Sequence, residues 1–98
     1  MRVSNENIEI RNRIYDFESR IEEMHLEFYK YYTEEDTKLP DIQRFERELI
    51  LFSRKKIIDI ELSNNLDRIL YKFQNRKRIW LSWLEEVRQR DKKEDEKE

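Results

Sequence analysis

The sequence predicts an all-α protein, an antiparallel hairpin of two long helices, and three observations predict it. There is no glycine and a single proline in 98 residues. Tight turns draw on glycine for positive φ and on proline for a preset φ, so this chain reverses direction rarely. Charged residues make up 45% of it, and with Glu, Lys, Arg, Leu, Ile and Gln dominant this is the composition of coiled coils and long helices. Apolar residues also recur at heptad spacing along most of the chain, a period that a strand cannot use.

Helix one is expected over about residues 5–33. Its seam is Val3, Ile10, Ile14, Phe17, Ile21, Met24, Phe28 and Tyr31, interrupted only by Asn7. Ser4 is placed to cap it, and Glu6 and Glu9 favour the positive end of the helix dipole. Residues 34–40 carry no periodic apolar signal and form the turn. Pro40 disfavours helical geometry at Leu39 and suits the first turn of a new helix.

Helix two is expected over about residues 41–90. Ile42, Phe45, Leu49 and Phe52 form one seam, and Leu62, Leu66, Ile69, Phe73, Arg76, Trp80, Trp83 and Val87 form a second, in a different register. Joining them through Lys56 and Asp59 requires consecutive steps of three, equivalent to a stammer, while Ile57, Ile58 and Ile60 broaden the apolar surface. A continuous helix, strained or kinked near residues 56–65, is preferred. The alternative is a break at Ser63-Asn64-Asn65, where Asp67 gives Asn64 a weak capping box, and the result is a three-helix bundle. Residues 91–98 are all charged and read as a solvated, frayed or disordered tail. The whole chain forms one domain. Because a lone hairpin buries only one face of each helix, a third packed segment or a second chain is expected to complete the core.

A short connection makes neighbouring helices antiparallel. With the turn centred on residue 38, Tyr31 faces Phe45, Met24 faces Phe52, Ile14 faces Leu62 and Ile10 faces Leu66. Charge agrees: residues 1–40 hold 6 basic and 10 acidic side chains, residues 68–90 hold 7 and 2, and Glu6 and Glu9 approach Arg68 and Lys72. In this register helix one is exhausted near Phe73. The segment from Arg76 onward is left without an intramolecular partner, although it carries Ile79, Trp80, Leu81, Trp83, Leu84 and Val87, with Ile79 and Leu81 at the flanks of the stripe. An exposed stripe with two tryptophans is typical of an interface anchor.

The candidate protein-binding residues are therefore Arg76, Ile79, Trp80, Trp83, Leu84 and Val87, with Arg76, Arg78 and Arg88 as a polar rim. The alternative is nucleic-acid binding through Arg68, Lys72, Arg76, Lys77 and Arg78. Against it, both tryptophans lie on the packing side of the helix and the pI is near 5.6. A basic amphipathic helix with tryptophan also suits a membrane surface, which Glu85 and Glu86 oppose.

Glu22-x-x-His25 matches the spacing of di-iron carboxylate bundles. With Ile21, Met24 and Phe28 on the seam, however, Glu22 points away and His25 sits on its shoulder, so both read as surface residues. Phe28-Tyr29-x-Tyr31-Tyr32 reads as an aromatic plug at the hairpin end, with a second partner site as the alternative. Asn7 and Arg76 are polar seam positions of the kind that fix register, or else mark fraying ends.

No catalytic, metal or cofactor site is expected. The chain has no Gly-rich phosphate loop, no cysteine and one histidine, and a thin hairpin offers no concave pocket. The absence of cysteine also removes disulfides and thiol chemistry. Residues 1–10 lack the basic head and apolar core of a signal peptide, and the longest apolar run is Leu49-Ile50-Leu51-Phe52, far short of a membrane span. A cytoplasmic location is expected.

The order Phe28-Tyr29-x-Tyr31-Tyr32, Pro40, Asn64-x-Leu66-x-Arg68, Phe73, Arg76 and Trp80 resembles a group of bacterial helical-hairpin proteins over about half the chain. That resemblance implies a bacterial origin and brings no activity with it. The expected function is that of a non-enzymatic adaptor, scaffold or small assembly subunit. Its expected partner is another protein or a second copy, a homodimer first.

Overall fold

Heptad spacing becomes helix in three places: α1 spans Asn5–Tyr32, α2 spans Ile42–Ser53 and α3 spans Ile60–Glu96. This is a computed structural model, and it describes residues 5–36 and 38–96, with side chains to residue 92. Val3, Ser4 and the last two residues of the charged tail lie outside the described residues. The fold is all-α, and the three-helix form is the one adopted.

The continuous helix expected over residues 41–90 is thus corrected to two helices, broken between Ser53 and Ile60. Arg54 N–H donates to the Leu51 carbonyl at 3.3 Å and Lys55 N–H to that of Phe52 at 3.0 Å, three-residue closures that tighten and end a helix. Asp59 Oδ1 then accepts from Leu62 N–H at 3.0 Å, and the Asp59 carbonyl takes the N–H of Ser63 at 2.9 Å. Asp59 is therefore the N-cap of α3 rather than a seam position. Asn64 lies inside the helix, where it caps nothing. Breaking the chain here lets each seam keep its own register, which a stammer would have forced to compromise. At the other extreme α3 does not stop near residue 90 but carries the charged tail as helix to Glu96.

The connection from α1 to α2 follows the same local chemistry. Glu35 N–H donates to the Lys30 carbonyl at 2.8 Å and Glu34 N–H to that of Tyr31 at 3.2 Å, the paired bonds of a Schellman cap. Glu34 holds φ 66°, the left-handed position that glycine fills in most such caps. Pro40 stands just outside α2 rather than in its first turn. Asp41 caps the helix, accepting from Arg44 N–H at 3.0 Å.

Two reversals place α1 and α3 parallel, with α2 antiparallel to both. Along α1 and α3 the contacts climb together: Glu18 with Arg68 at 2.8 Å, Glu22 with Lys72 at 2.5 Å, His25 with Trp80 at 3.0 Å and Tyr32 with Trp83 at 5.1 Å between ring centres. α2 runs the other way, holding α1 through Arg20–Glu48 at 2.7 Å and α3 through Lys77–Glu46 at 2.8 Å. The antiparallel pairs Ile14/Leu62 and Ile10/Leu66, and the approach of Glu6 and Glu9 to Arg68 and Lys72, are accordingly corrected. The acidic arm does meet the basic one, but through Glu18 and Glu22.

The bundle measures 71 × 19 × 17 Å. Its buried core comprises Ile10, Ile14, Phe17, Ile21 and Phe28 from α1, Phe45 and Leu49 from α2, and Leu62, Leu66, Ile69, Phe73 and Trp80 from α3. Phe45 meets Phe17 edge-on at 5.8 Å and lies tilted against Phe73 at 5.3 Å, so α2 is the third packed segment that a two-helix core would have lacked. Apolar burial of this kind is the dominant favourable contribution to folding.

Candidate docking surface

The segment expected to project unpartnered from the hairpin is the most aromatic part of the core. Trp80 is 0% exposed. It stacks on Phe28 with ring centres 4.8 Å apart and meets Phe73 edge-on at 6.2 Å. Its only polar atom, the indole N–H, donates to His25 Nδ1 at 3.0 Å, which satisfies a donor that would otherwise be buried at a cost. Trp83 is half-buried, stacked on Tyr32, 5.3 Å from His25 and edge-on to Tyr29 at 6.0 Å. The cluster Phe28-Tyr29-x-Tyr31-Tyr32 is thus a plug, closed by the two tryptophans rather than by a hairpin turn. Parallel alignment is the cause, because it brings the end of α1 against residues 80–90 of α3.

Of the six expected protein-binding residues, Trp80 is inaccessible and Arg76 is turned inward to Glu22 at 3.2 Å. Trp83, Leu84 and Val87 are half-buried, and Ile79 is 41% exposed. The basic set is largely neutralised as well. Arg68 pairs with Glu18, Lys72 and Arg76 with Glu22, and Lys77 with Glu46; among the described residues only Arg78 of the five lacks an ion-pair partner. Arg88 pairs with Glu85 at 3.3 Å. Arg90 donates to the Tyr32 carbonyl at 2.8 Å and lies over its ring, while the Tyr32 hydroxyl donates to Glu86.

The electrostatics follow from these pairs. The hydrogen bond from Lys72, aided by Arg76, holds the Glu22 carboxyl below its usual range despite the opposing effect of burial. Arg20 does the same for Glu48. Burial, with Arg76 nearby, lowers His25. Glu22 and His25 therefore do not form a ligand pair: one is held by two cations, the other accepts from Trp80. Both are interhelical contacts rather than free surface residues. Among the described residues no group of acidic or histidine side chains is arranged to hold a metal, and no helix is long and apolar enough to cross a membrane.

Sequence spacing missed the concave feature of this end. A cleft of about 600 Å³ lies between the α1–α2 connection and α3, lined by Leu39, Pro40, Ile42, Lys77, Leu81 and Leu84 among others. Leu39 is 46% and Leu81 49% exposed. Leu39 belongs to no seam, so heptad spacing gives it no role, and Leu81 is expected only at the flank of the tryptophan stripe. The available signal was the unequal length of the helices: α2 has 12 residues against 28 in α1 and 37 in α3, so it cannot cover α3 throughout.

No protein-family model, curated protein or solved structure matches the chain.

Proposed function

We propose that the protein is a non-enzymatic protein-interaction module that receives an amphipathic helix of a partner protein in the cleft beside Leu81. The observation that carries this reading is the cleft itself, a mainly apolar concavity in which half-exposed Leu39 and Leu81 stand with Asp41, Gln43, Glu46 and Lys77. Recognition of a helix by a groove rests on such apolar contacts at helical spacing. The occupant follows from the helix lengths. α2 begins at Ile42 while α3 runs on past Leu81 and Leu84, so a helix seated there prolongs the α2 layer of the bundle. The partner is not needed to complete the core, because α2 already does so. The protein-interaction reading is preferred to the nucleic-acid one because Arg68, Lys72, Arg76 and Lys77 are each paired with a carboxylate of the same chain.

The test is affinity capture from native lysate with wild type beside Leu81→Glu. Leu81 is half-exposed, so the variant folds with unchanged helical circular dichroism while the cleft gains a charge. A partner retained by wild type and lost by Leu81→Glu supports the reading. Equal recovery by both overturns it. Light scattering on the same samples separates a second copy from a foreign partner.

A further inference from the structure

We propose that His25 and Trp80 form a pH-sensitive latch that closes the aromatic end of the bundle when the imidazole is neutral and opens it when the imidazole is protonated. The indole N–H of Trp80 has no acceptor capacity, so at 3.0 Å from His25 Nδ1 it requires a lone pair on that nitrogen. The imidazole then carries its proton on Nε2. A doubly protonated ring has N–H groups on both nitrogens and cannot accept. Protonation therefore replaces a hydrogen bond with two donors facing each other, and it strands the indole N–H of a side chain that is 0% exposed.

The charges around the ring oppose and favour the cation unequally, and burial tips the balance against it. On α1 the charge acting on His25 is Glu22, one turn before it, which favours the imidazolium but is already shared by Lys72 and Arg76. On α3 the charge acting on His25 is Arg76, which repels an imidazolium. α2 contributes no charged group to it. Trp83 lies against the His25 ring at 5.3 Å, so both tryptophans contact the same imidazole.

The sign follows. Burial and Arg76 place the imidazole below its ordinary value in the folded chain, so the unfolded or opened chain binds the proton more tightly. Closure is complete above the ordinary value of about 6.5 and is lost as pH falls from there toward the lowered folded value.

Proton–nitrogen NMR of the Trp80 indole over pH 5 to 8, assigned through Trp83→Phe, reads the latch directly. The indole resonance should move with a midpoint below that of a free imidazole, and Trp80 fluorescence in the Trp83→Phe background should shift to the red over the same range. His25→Asn places a non-titrating carbonyl oxygen near the position of Nδ1; it should keep the indole bonded and abolish both changes. Trp80→Phe removes the donor and should bring the His25 midpoint closer to the ordinary value. A wild-type indole signal that is flat with pH, or a His25→Asn profile that matches wild type, overturns the proposal.

Discussion

The two ends of the bundle solve the same problem with opposite materials. At one end, α1 and α3 are joined by Phe28, Tyr29, Tyr32, Trp80 and Trp83, with His25 accepting the buried indole proton. At the other, Ile58 in the α2–α3 connection is 87% exposed and Ile60 at the start of α3 is 77% exposed. Both ends reverse the chain, yet the first converts its aromatic residues Phe28 and Trp80 into core while the second half-buries Ile57 and leaves Ile58 and Ile60 outside. The difference lies in whether helical spacing survives the turn. Trp80 follows five turns of intact α3, so its position is dictated by Leu62, Leu66, Ile69 and Phe73 below it. Ile58 falls between two helices, where no period directs it inward.

The largest expected effect breaks the aromatic end. Trp80→Ala removes a fully buried indole and leaves a cavity against Phe28 and Phe73, along with a His25 that has lost its donor; the cost is about 3–5 kcal/mol in urea unfolding. In a bundle of this size that is a large share of total stability. If the variant loses less than about 1 kcal/mol, the tryptophan is not a core residue and the contrast between the ends fails.

Much of this core was legible in the spacing, and its direction was not. Every residue of the buried cluster belongs to a heptad seam of the sequence. The seams also contained the topology in an unread form. Ile10, Ile14, Phe17, Ile21, Met24, Phe28 and Tyr31 each stand 52 residues before Leu62, Leu66, Ile69, Phe73, Arg76, Trp80 and Trp83, the in-register match of two parallel helices. An antiparallel reading follows from assuming one reversal. The second reversal was visible only as the conflict of register near Lys56 and Asp59, and a single strained helix accommodates that conflict on paper as well as a break does. What decides it is a local hydrogen bond, Asp59 to the Leu62 amide, which no periodicity reports. The site followed the same logic. An end that looked unpartnered in antiparallel alignment meets the last turns of α1 in parallel alignment, and the open surface moves to where α2 is too short to reach.

The next effect in size tests that break. Asp59→Ala removes the N-cap of α3 and should cost about 1 kcal/mol, with Asp59→Asn retaining most of it because an amide oxygen also accepts from the Leu62 N–H. Asn64→Ala, at the position the sequence offered as a cap, should be neutral or slightly stabilising, since alanine is the better helix former. The reverse ranking in thermal unfolding would move the break back to residues 63–65.

A gain is available at the other reversal. Glu34 is held at φ 66° by its two cap hydrogen bonds, at a cost that a side chain with a Cβ bears and glycine does not. Glu34→Gly should raise stability by roughly 0.5–1 kcal/mol, the relief of the left-handed backbone exceeding the added freedom of the unfolded chain. Differential scanning calorimetry beside Glu35→Gly provides the contrast, because Glu35 does not occupy the left-handed position and its glycine variant should only destabilise.

The smallest effect is the one most informative about the exposed end. Ile58→Ser changes an isoleucine that buries almost nothing, so in dilute solution it should alter stability by no more than about 0.5 kcal/mol. The physical reason is that transfer free energy scales with area removed from water, and at 87% exposure there is little area to lose. A cost above about 1 kcal/mol that grows with protein concentration means that this end is covered in solution by a second copy, because association alone ties stability to concentration. Light scattering on wild type and Ile58→Ser over the same concentrations then locates the contact at the connection between α2 and α3, and the two ends differ in where their core partner comes from rather than in whether they have one.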